Sequence, residues 1–145
     1  MRPLLLRVLL LSFLLSPISV LSKSGEILVV TKPYVRLLPP TVPNTALFFS
    51  LTNNGQKNLT LVKAESDVAD KVELHTHIEN NGVFQMRQVE SIDVPEGATH
   101  AFKPGADHIM LLGLKKPLQE GQEILVKLTF SDGSSKVIYP RVKRH

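Results

Sequence analysis

Turn signals recur along this chain at short intervals and leave room only for short elements between them. Five such signals are rich in Asn, Gly or Pro: Asn53-Asn54-Gly55, Asn80-Asn81-Gly82, Glu96-Gly97, Pro104-Gly105 and Asp132-Gly133. The segments between them are rich in β-branched and aromatic residues, and no stretch has a sustained helical period. Many short strands at this spacing are typical of an antiparallel sandwich or barrel, so the sequence predicts an all-β fold.

Eight runs have the composition of strands, and one of them alternates strictly between apolar and polar residues. In that run Val126, Leu128 and Phe130 alternate with Lys127 and Thr129, the period of a half-buried strand. The predicted strands are residues 26–31, 46–53, 59–64, 71–78, 83–89, 108–112, 123–130 and 136–139. Residues 37–43 contain three prolines, which lack the backbone donor that a central strand needs, so we expect an exposed loop near one end of the fold.

The composition excludes several classes of protein. The chain contains 0 Cys, which excludes disulfides, thiol nucleophiles, zinc fingers and blue-copper sites that require a thiolate. Its 43% hydrophobic and 21% charged residues are those of a folded domain and not of a disordered chain. No phosphate loop, zinc-protease motif or Ser/His/Asp set stands out, so we expect no enzymatic activity.

The N-terminus has the pattern of a secretory signal peptide. Arg2 and Arg7 form a positive start, residues 8–15 are apolar but too short to span a bilayer, and small residues follow up to Ser22. We therefore expect cleavage near Ser22, with residues 1–22 as the leader and 23–145 as a single domain. Without Arg2 and Arg7 the net charge falls from +4 to +2, so nucleic-acid binding is not expected. With no Cys and no second apolar span, we expect no lipid or membrane anchor.

Both methionines of the predicted mature chain can be placed near histidines. Met110 follows His108 by two residues, and residues two apart on a strand face the same side. His75 and His77 have the same spacing on the strand before the predicted hairpin, and Met86 lies on the strand after it. Three predicted strands thus carry imidazole or thioether groups with the same alternation.

The register of that hairpin decides where Met86 lies. With Asn81-Gly82 as a two-residue loop, His77 pairs with Met86 and both face the same side of the sheet. A register shifted by one residue would turn Met86 to the opposite, apolar face of the sheet. Phe84 shares a face with Met86 and prefers the core, which favours the shifted register, so the sequence leaves both open.

Thioethers and neutral imidazoles together favour Cu(I) over the hard cations Mg²⁺ and Ca²⁺. A set of two His and two Met carries no charge and therefore suits a monovalent ion. Each residue alone has an ordinary interpretation, a solvated His or a core Met. A metal-free secreted β-sandwich binding module is thus the alternative, and it requires Met86 in the core and His75 far from His108.

At this point the residues resemble the PCu(A)C family of periplasmic copper chaperones. The family's motif is His, ten residues, Met, twenty-one residues, His, one residue, Met, and His75, Met86, His108 and Met110 have that spacing. The surrounding sequence, including residues 72–76 and 105–118, is similar as well, and the resemblance covers about residues 27–130.

The resemblance implies a cupredoxin-like Greek-key β-sandwich that binds Cu(I) through His75, Met86, His108 and Met110. It also implies a monomeric periplasmic chaperone that delivers copper by ligand exchange towards the dinuclear CuA site of cytochrome c oxidase, directly or through a thiol-bearing assembly factor. A periplasmic copper buffer or resistance protein without a dedicated acceptor is the alternative. Many members have Met where this chain has His77, so His77 is either an auxiliary copper ligand or a solvated side chain; solvation is the default.

Overall fold

A computed structural model of the protein describes residues 26–144, and this part of the chain is entirely strands, turns and loops. The predicted leader and its cleavage site near Ser22 lie outside the described residues. Between residues 26 and 144, no helix is long and apolar enough to cross a membrane. The strands in this part are β1 Leu28–Arg36, β2 Thr45–Asn53, β3 Leu59–Glu65, β4 Ala69–Asn80, β5 Val83–Gln88, β6 Ile92–Val94, β7 Thr99–Phe102, β8 His108–Leu114, β9 Val126–Phe130, β10 Ser135–Ile138 and β11 Arg141–Lys143.

The strands form two sheets that enclose one hydrophobic core. The larger sheet has seven strands in the order β11-β1-β2-β8-β4-β5, with β7 also paired to β2, and the smaller sheet has the order β10-β9-β3-β6. Leu47 and Ile109 of the larger sheet and Leu61 and Leu128 of the smaller one are all completely buried in the same core. The non-consecutive neighbours require crossovers between strands, so the predicted all-β, cupredoxin-like Greek-key sandwich is confirmed.

The eight predicted strands are all present, although their bounds shift by a few residues. The run 123–130 is shorter than predicted, because β9 begins only at Val126. Three short strands, β6, β7 and β11, are not among the predicted runs, since three or four residues are too few for an alternation to be recognised. Residues 37–44 connect β1 to β2 outside any strand, which confirms the predicted proline-rich loop.

The first strand is longer than predicted because it continues past an irregularity. Its pairing with β2 shifts register between Thr31 and Tyr34, and Lys32 has a φ of 52°. Pro33 stands within this interruption, where its missing N–H removes no ladder hydrogen bond. The second half of β1 then pairs with β2 on one side and with β11 in parallel on the other, which carries Tyr34 and Arg36 to the outer face beside the proline-rich loop.

The hairpin between β4 and β5 has the tight two-residue loop that the sequence predicts. Asn81 and Gly82 have φ values of 52° and 77°, as a type I′ turn requires, and His77 pairs directly with Met86. This confirms the unshifted register. Phe84 does not reach the core and is 71% exposed, so the preference of phenylalanine for burial pointed in the wrong direction here.

Candidate metal site

Three neighbouring strands of the larger sheet bring the candidate ligands together on its outer face. In the sheet, β4 lies between β8 and β5. His75 on β4 is directly opposite His108 on β8, and His77 on β4 is directly opposite Met86 on β5. Ile109, between the two candidate ligands of β8, is completely buried in the core, so the alternation along β8 is as predicted.

An open cleft of about 300 Å³ lies on this face, at the end that carries the proline-rich loop. Three of the four predicted ligands line it, namely Met86, His108 and Met110, and so does His77. His75 does not line the cleft but lies next to it, with its ring centroid 5.8 Å from that of His108. The other lining residues are Arg36, Leu38, Asn44, Thr45, Ala46, Phe48, Pro104 and Gly105.

His108 is oriented by a backbone hydrogen bond that leaves its second nitrogen free for a ligand. Nδ1 is 2.8 Å from the carbonyl oxygen of Ala106, which can only accept, so Nδ1 carries the proton and donates. In neutral imidazole the other nitrogen, Nε2, then has a lone pair. This Nε2 lies 3.1 Å from Sδ of Met86, which has no proton to donate. Two lone-pair donors of different residues therefore meet without a hydrogen between them.

Burial favours the neutral, ligating form of His108. The residue is only 2% exposed, although it faces away from the hydrophobic core. The ring of Phe48, itself buried, lies against it with centroids 6.1 Å apart. Desolvation lowers the pKa of His108 below its usual value, and the hydrogen bond to Ala106 opposes this in part. At neutral pH the imidazole is therefore uncharged and able to bind a metal.

His75 is held by a neighbouring carboxylate on the same strand. Its Nε2 is 2.8 Å from Oε2 of Glu73, and a carboxylate accepts, so Nε2 carries the proton. Nδ1 of His75 is buried and has no hydrogen-bond partner among the described residues. Buried polar atoms in proteins are nearly always paired, so this nitrogen, with its free lone pair beside His108, is available to a ligand. A carboxylate behind a ligating histidine is also a common feature of metal sites.

His77, predicted to be either an auxiliary ligand or a solvated side chain, belongs to the cleft. Its side chain is half-buried and lines the cleft, and its ring centroid is 5.3 Å from that of His108. Nδ1 of His77 lies 3.3 Å from the same Ala106 carbonyl that accepts from His108. One backbone oxygen therefore orients two imidazoles.

His100, the remaining described histidine, belongs to a different part of the surface. It pairs with Asp107 at 2.8 Å between Nε2 and Oδ2 and lies edge-on against Phe102. It lies outside the cleft lining, and its side chain is 29% exposed. This hydrogen bond links β7 to Asp107, on the loop that carries Ala106 and leads into β8.

Sequence reasoning missed three contributors to this site. Glu73 has the same i, i+2 spacing to His75 that led to the histidines themselves, so the signal was present. The burial of Phe48 has no sequence signal. Its position on β2 alternates with core residues, so the alternation places it on the outer face and does not indicate that it is buried there. The Ala106 carbonyl has none either, since any residue supplies a backbone oxygen.

The metal-free alternative makes two structural requirements, and neither is met. Met86 is 53% exposed on β5, so it is not a core residue. His75 and His108 are directly paired across the two strands, so they are not far apart. Among residues 26–144, no three His, Asp or Glu side chains are gathered tightly enough to hold a metal by themselves.

The sequence matches a known family and two curated relatives. The family model described as "Putative lipoprotein LpqE-like" matches residues 28–140. A putative lipoprotein of Leifsonia xyli subsp. xyli is 41% identical over 100 residues, covering 68% of this chain and 60% of that protein. An uncharacterized protein of Rickettsia prowazekii is 34% identical over 102 residues, covering 70% of this chain and 56% of that protein. The match thus spans less than two thirds of the length of either relative.

Solved structures with the same fold include copper-bound domains. The Cu(I)-bound form of DR1885 from Deinococcus radiodurans has a TM-score of 0.69 and 28% identity, covering 86% of this chain and 83% of that one. Its apo form has a TM-score of 0.64 and 25% identity, covering 99% of this chain and 97% of that one. The copper-bound PCuAC domain of PmoF2 has a TM-score of 0.70, covering 83% and 95% of the two chains, and its 17% identity supports the fold alone.

Proposed function

Since this chain belongs to the LpqE-like family of putative lipoproteins and carries a His/Met cleft, we propose that it is a Cu(I) carrier. In this proposal His75, Met86, His108 and Met110 bind one Cu(I), and the protein passes the ion to a copper acceptor. The likeness to DR1885, whose solved structure contains Cu(I), supports the choice of metal.

One observation carries the proposal: Nε2 of His108 and Sδ of Met86 lie 3.1 Å apart, and neither holds a proton that could bond the other. Two lone pairs so placed gain nothing from each other, but both can be satisfied by a cation between or beside them. The unpaired Nδ1 of His75 is the third proposed donor, on a ring whose centroid lies 5.8 Å from that of His108. Met110, which also lines the cleft, completes the set.

The donor set selects a soft monovalent ion. Thioethers bind Cu(I) well, whereas Zn²⁺ sites use Cys, His or carboxylate, and Mg²⁺ and Ca²⁺ require oxygen. The four proposed ligands have no formal charge, which leaves a single positive charge for the cleft to hold. The carboxylate of Glu73 is engaged with His75 and contributes through that ring.

The openness of the site suits a protein that must release its cargo. Met86 is 53% exposed on an outer strand, so an incoming ligand can displace its thioether first. Stronger thiolate ligands of an acceptor would then replace the remaining donors one at a time. Following the family resemblance, we propose the CuA subunit of cytochrome c oxidase, or a thiol-bearing assembly factor, as the acceptor, and a monomeric carrier with no enzymatic activity.

The proposed location is the periplasm, reached through a leader of residues 1–22, with 23–145 as the copper-binding domain. The N-terminal pattern of two arginines and a short apolar run supports export. The description of the family as putative lipoproteins is consistent with an exported protein.

A Cu(I) titration of the purified protein under anaerobic, reducing conditions tests the proposal. We expect one Cu(I) per chain, and X-ray absorption should show a mixed shell of nitrogen and sulfur. A protein that binds no stoichiometric Cu(I), or binds it through nitrogen alone, would contradict the proposed site. His100→Gln is the matched control, because it removes an imidazole that lies outside the cleft.

A transfer experiment separates a chaperone from a copper buffer. The Cu(I)-loaded protein is mixed with an apo acceptor domain that binds copper through thiolates. A chaperone should transfer copper faster than the ion dissociates from the carrier into a chelator of equal affinity. Transfer at the free dissociation rate would instead support a buffer without a dedicated acceptor.

A further inference from the structure

Arg36 is the only permanently charged side chain among the described residues that line the cleft. It ends β1, is half-buried, and holds its guanidinium over the ring of Phe48, with 5.2 Å between Cζ and the ring centroid. The same phenylalanine packs against His108, with ring centroids 6.1 Å apart. Phe48 thus contacts both a fixed positive charge and a proposed copper ligand.

No carboxylate neutralises the charge of Arg36 within the described part of the chain. Arg141 on β11, by contrast, forms an ion pair with Glu123 at 2.8 Å. Lys143, which pairs in register with Arg36 across β11 and β1, also has no carboxylate partner in the described chain and lies over the ring of Tyr34. Aromatic rings and not anions therefore hold both cations, and this wall of the cleft is positive.

A positive charge beside a proposed cation site does not help to hold the ion. Like charges repel, and the repulsion is stronger in a partly desolvated cleft than in water. The guanidinium is, however, a planar fork of N–H donors that matches a carboxylate and binds it through two parallel hydrogen bonds. The N–H donors of Arg36 have no acceptor among the described residues, so they are available to an anion that enters the cleft.

The cleft has room for such an anion. Its volume of about 300 Å³ is far larger than one ion needs and is at the lower end of the sizes that accept small molecules. In ligand exchange, the sulfur of an incoming thiolate forms a bond to Cu(I), the neutral thioether of Met86 leaves, and no electron or proton is transferred. A carboxylate carried close to that sulfur would meet Arg36, because Arg36 and Met86 line the same cleft.

We propose that Arg36 is a specificity-determining residue that binds a carboxylate of the incoming copper acceptor and so favours acidic acceptors. The inference rests on the proposed Cu(I) carrier function and names the chemistry of its partner. Arg36 acts on the acceptor and not on the ion. Its removal should therefore change which ligands take the copper and not whether the copper is held.

Copper release to two small thiols that differ in charge tests this role. The Cu(I)-loaded protein is mixed with mercaptoacetate or with the neutral mercaptoacetamide at equal thiolate concentration, and the initial rate of copper loss is measured. The ratio of the carboxylate rate to the amide rate should be about three- to tenfold higher in the wild type than in Arg36→Gln, as expected for one half-buried charge pair. Arg36→Lys keeps the charge without the fork and should give an intermediate ratio.

Arg87→Gln is the matched control. It removes an exposed arginine beside Met86 on β5, on the opposite face of the strand and outside the cleft lining, and should keep the wild-type ratio. An equal fall of the ratio in Arg87→Gln and Arg36→Gln would indicate an effect of net charge and overturn the inference. A role of Arg36 in packing on Phe48 alone would change both rates together and leave the ratio unchanged, which would overturn it as well.

A titration of the copper-free protein separates this inference from the proposed function. Mercaptoacetate should shift the NMR signal of the Arg36 Nε–H saturably, and mercaptoacetamide should not. Such a shift in a protein that takes up no Cu(I) would refute the carrier function and retain Arg36 as a carboxylate contact. Normal Cu(I) uptake without this shift, and with the same rate ratio in Arg36→Gln as in the wild type, would overturn the role of Arg36 and leave the carrier function intact.

Discussion

The two sheets of the sandwich use the same alternation for different purposes. On β9 of the smaller sheet, Val126, Leu128 and Phe130 are buried in the core, while Lys127 between them is exposed. On β8 of the larger sheet the core-facing residues are buried in the same way, yet His108 on the opposite face is also only 2% exposed. One sheet has a single buried face, and the other is buried locally on both.

This difference separates burial that stabilises the fold from burial that serves a site. Core burial on β9 is explained by the apolar area removed from water. Burying an imidazole on an outer face removes less apolar area from water and costs desolvation of its nitrogens. Such burial is therefore stable only if the polar atoms of the ring are satisfied. His108 satisfies one nitrogen through Ala106 and leaves the other facing Met86. The outer face of the larger sheet therefore holds a buried imidazole whose second nitrogen is available to a ligand.

The largest effect is expected in the smaller sheet. Leu128→Ala removes a completely buried side chain and should lower the free energy of unfolding by about 2–5 kcal/mol, because it leaves a cavity in the core. Urea denaturation of the metal-free protein measures it, with Lys127→Ala on the same strand as the control, expected within about 0.5 kcal/mol. Folded Leu128→Ala should bind Cu(I) as the wild type does. A loss of copper binding there would mean that the two sheets do not divide these tasks.

Met110→Leu should have the opposite effect, with little loss of stability and a large loss of Cu(I) affinity. The swap nearly conserves volume, so it should cost less than about 1.5 kcal/mol in unfolding free energy. It removes a thioether from the cleft, however, and should weaken Cu(I) binding by about 100-fold or more, beyond the usual effect of losing a residue behind the ligands. Competition against a Cu(I) chelator measures the affinity. Wild-type affinity in this variant would remove Met110 from the ligand set.

Glu73→Gln tests the residue behind His75. Glutamine can still accept from Nε2 of His75 but has no charge, so the ring becomes a poorer donor. We expect Cu(I) affinity to fall by about tenfold, at the lower end of effects measured for such partners. Glu79→Gln, an exposed carboxylate on the same strand, is the matched control and should change nothing. Equal affinities in the two variants would indicate that Glu73 does not act through His75.

The pKa of His108 predicts a pH dependence that the smaller sheet does not have. Burial lowers this pKa in the folded protein, so between the folded value and the ordinary value near 6.5 the unfolded chain binds the extra proton. Stability should therefore fall as the pH drops through 6.5 and stop falling below the folded pKa. We expect the metal-free wild type to lose up to about 1 kcal/mol more than His108→Gln between about pH 7.5 and 5.5. Parallel urea denaturation curves check this, and equal losses would show that His108 is not desolvated.

Most of the fold could be predicted from the sequence, because turn residues and period-two alternation act locally. The hairpin loop at Asn81-Gly82 and the pairing of His77 with Met86 follow from turn chemistry alone. The strands β6 and β11 could not be predicted, since they exist only through pairing with distant partners. Their three residues have no pattern of their own.

The candidate site was predictable in its residue types and less so in its arrangement. The spacing of His75, Met86, His108 and Met110 predicts the same face, but not that His75 lies outside the cleft lining while His77 belongs to it. That distinction depends on where the loop before β8 places the Ala106 carbonyl. A backbone oxygen has no identity in the sequence, so the orientation of both rings became visible only in three dimensions.

Phe84 gives the smallest expected effect and the sharpest test of the register. Its side chain is 71% exposed, whereas that of Phe130 is 1% exposed, so Phe84→Ser should change the unfolding free energy by no more than about 0.5 kcal/mol. Truncating a buried phenylalanine such as Phe130 to alanine costs about 3–5 kcal/mol and provides the reference. A comparable cost at Phe84 would mean that β5 is shifted by one residue. Met86 would then also turn away from His108, and the proposed copper site would fail together with the register.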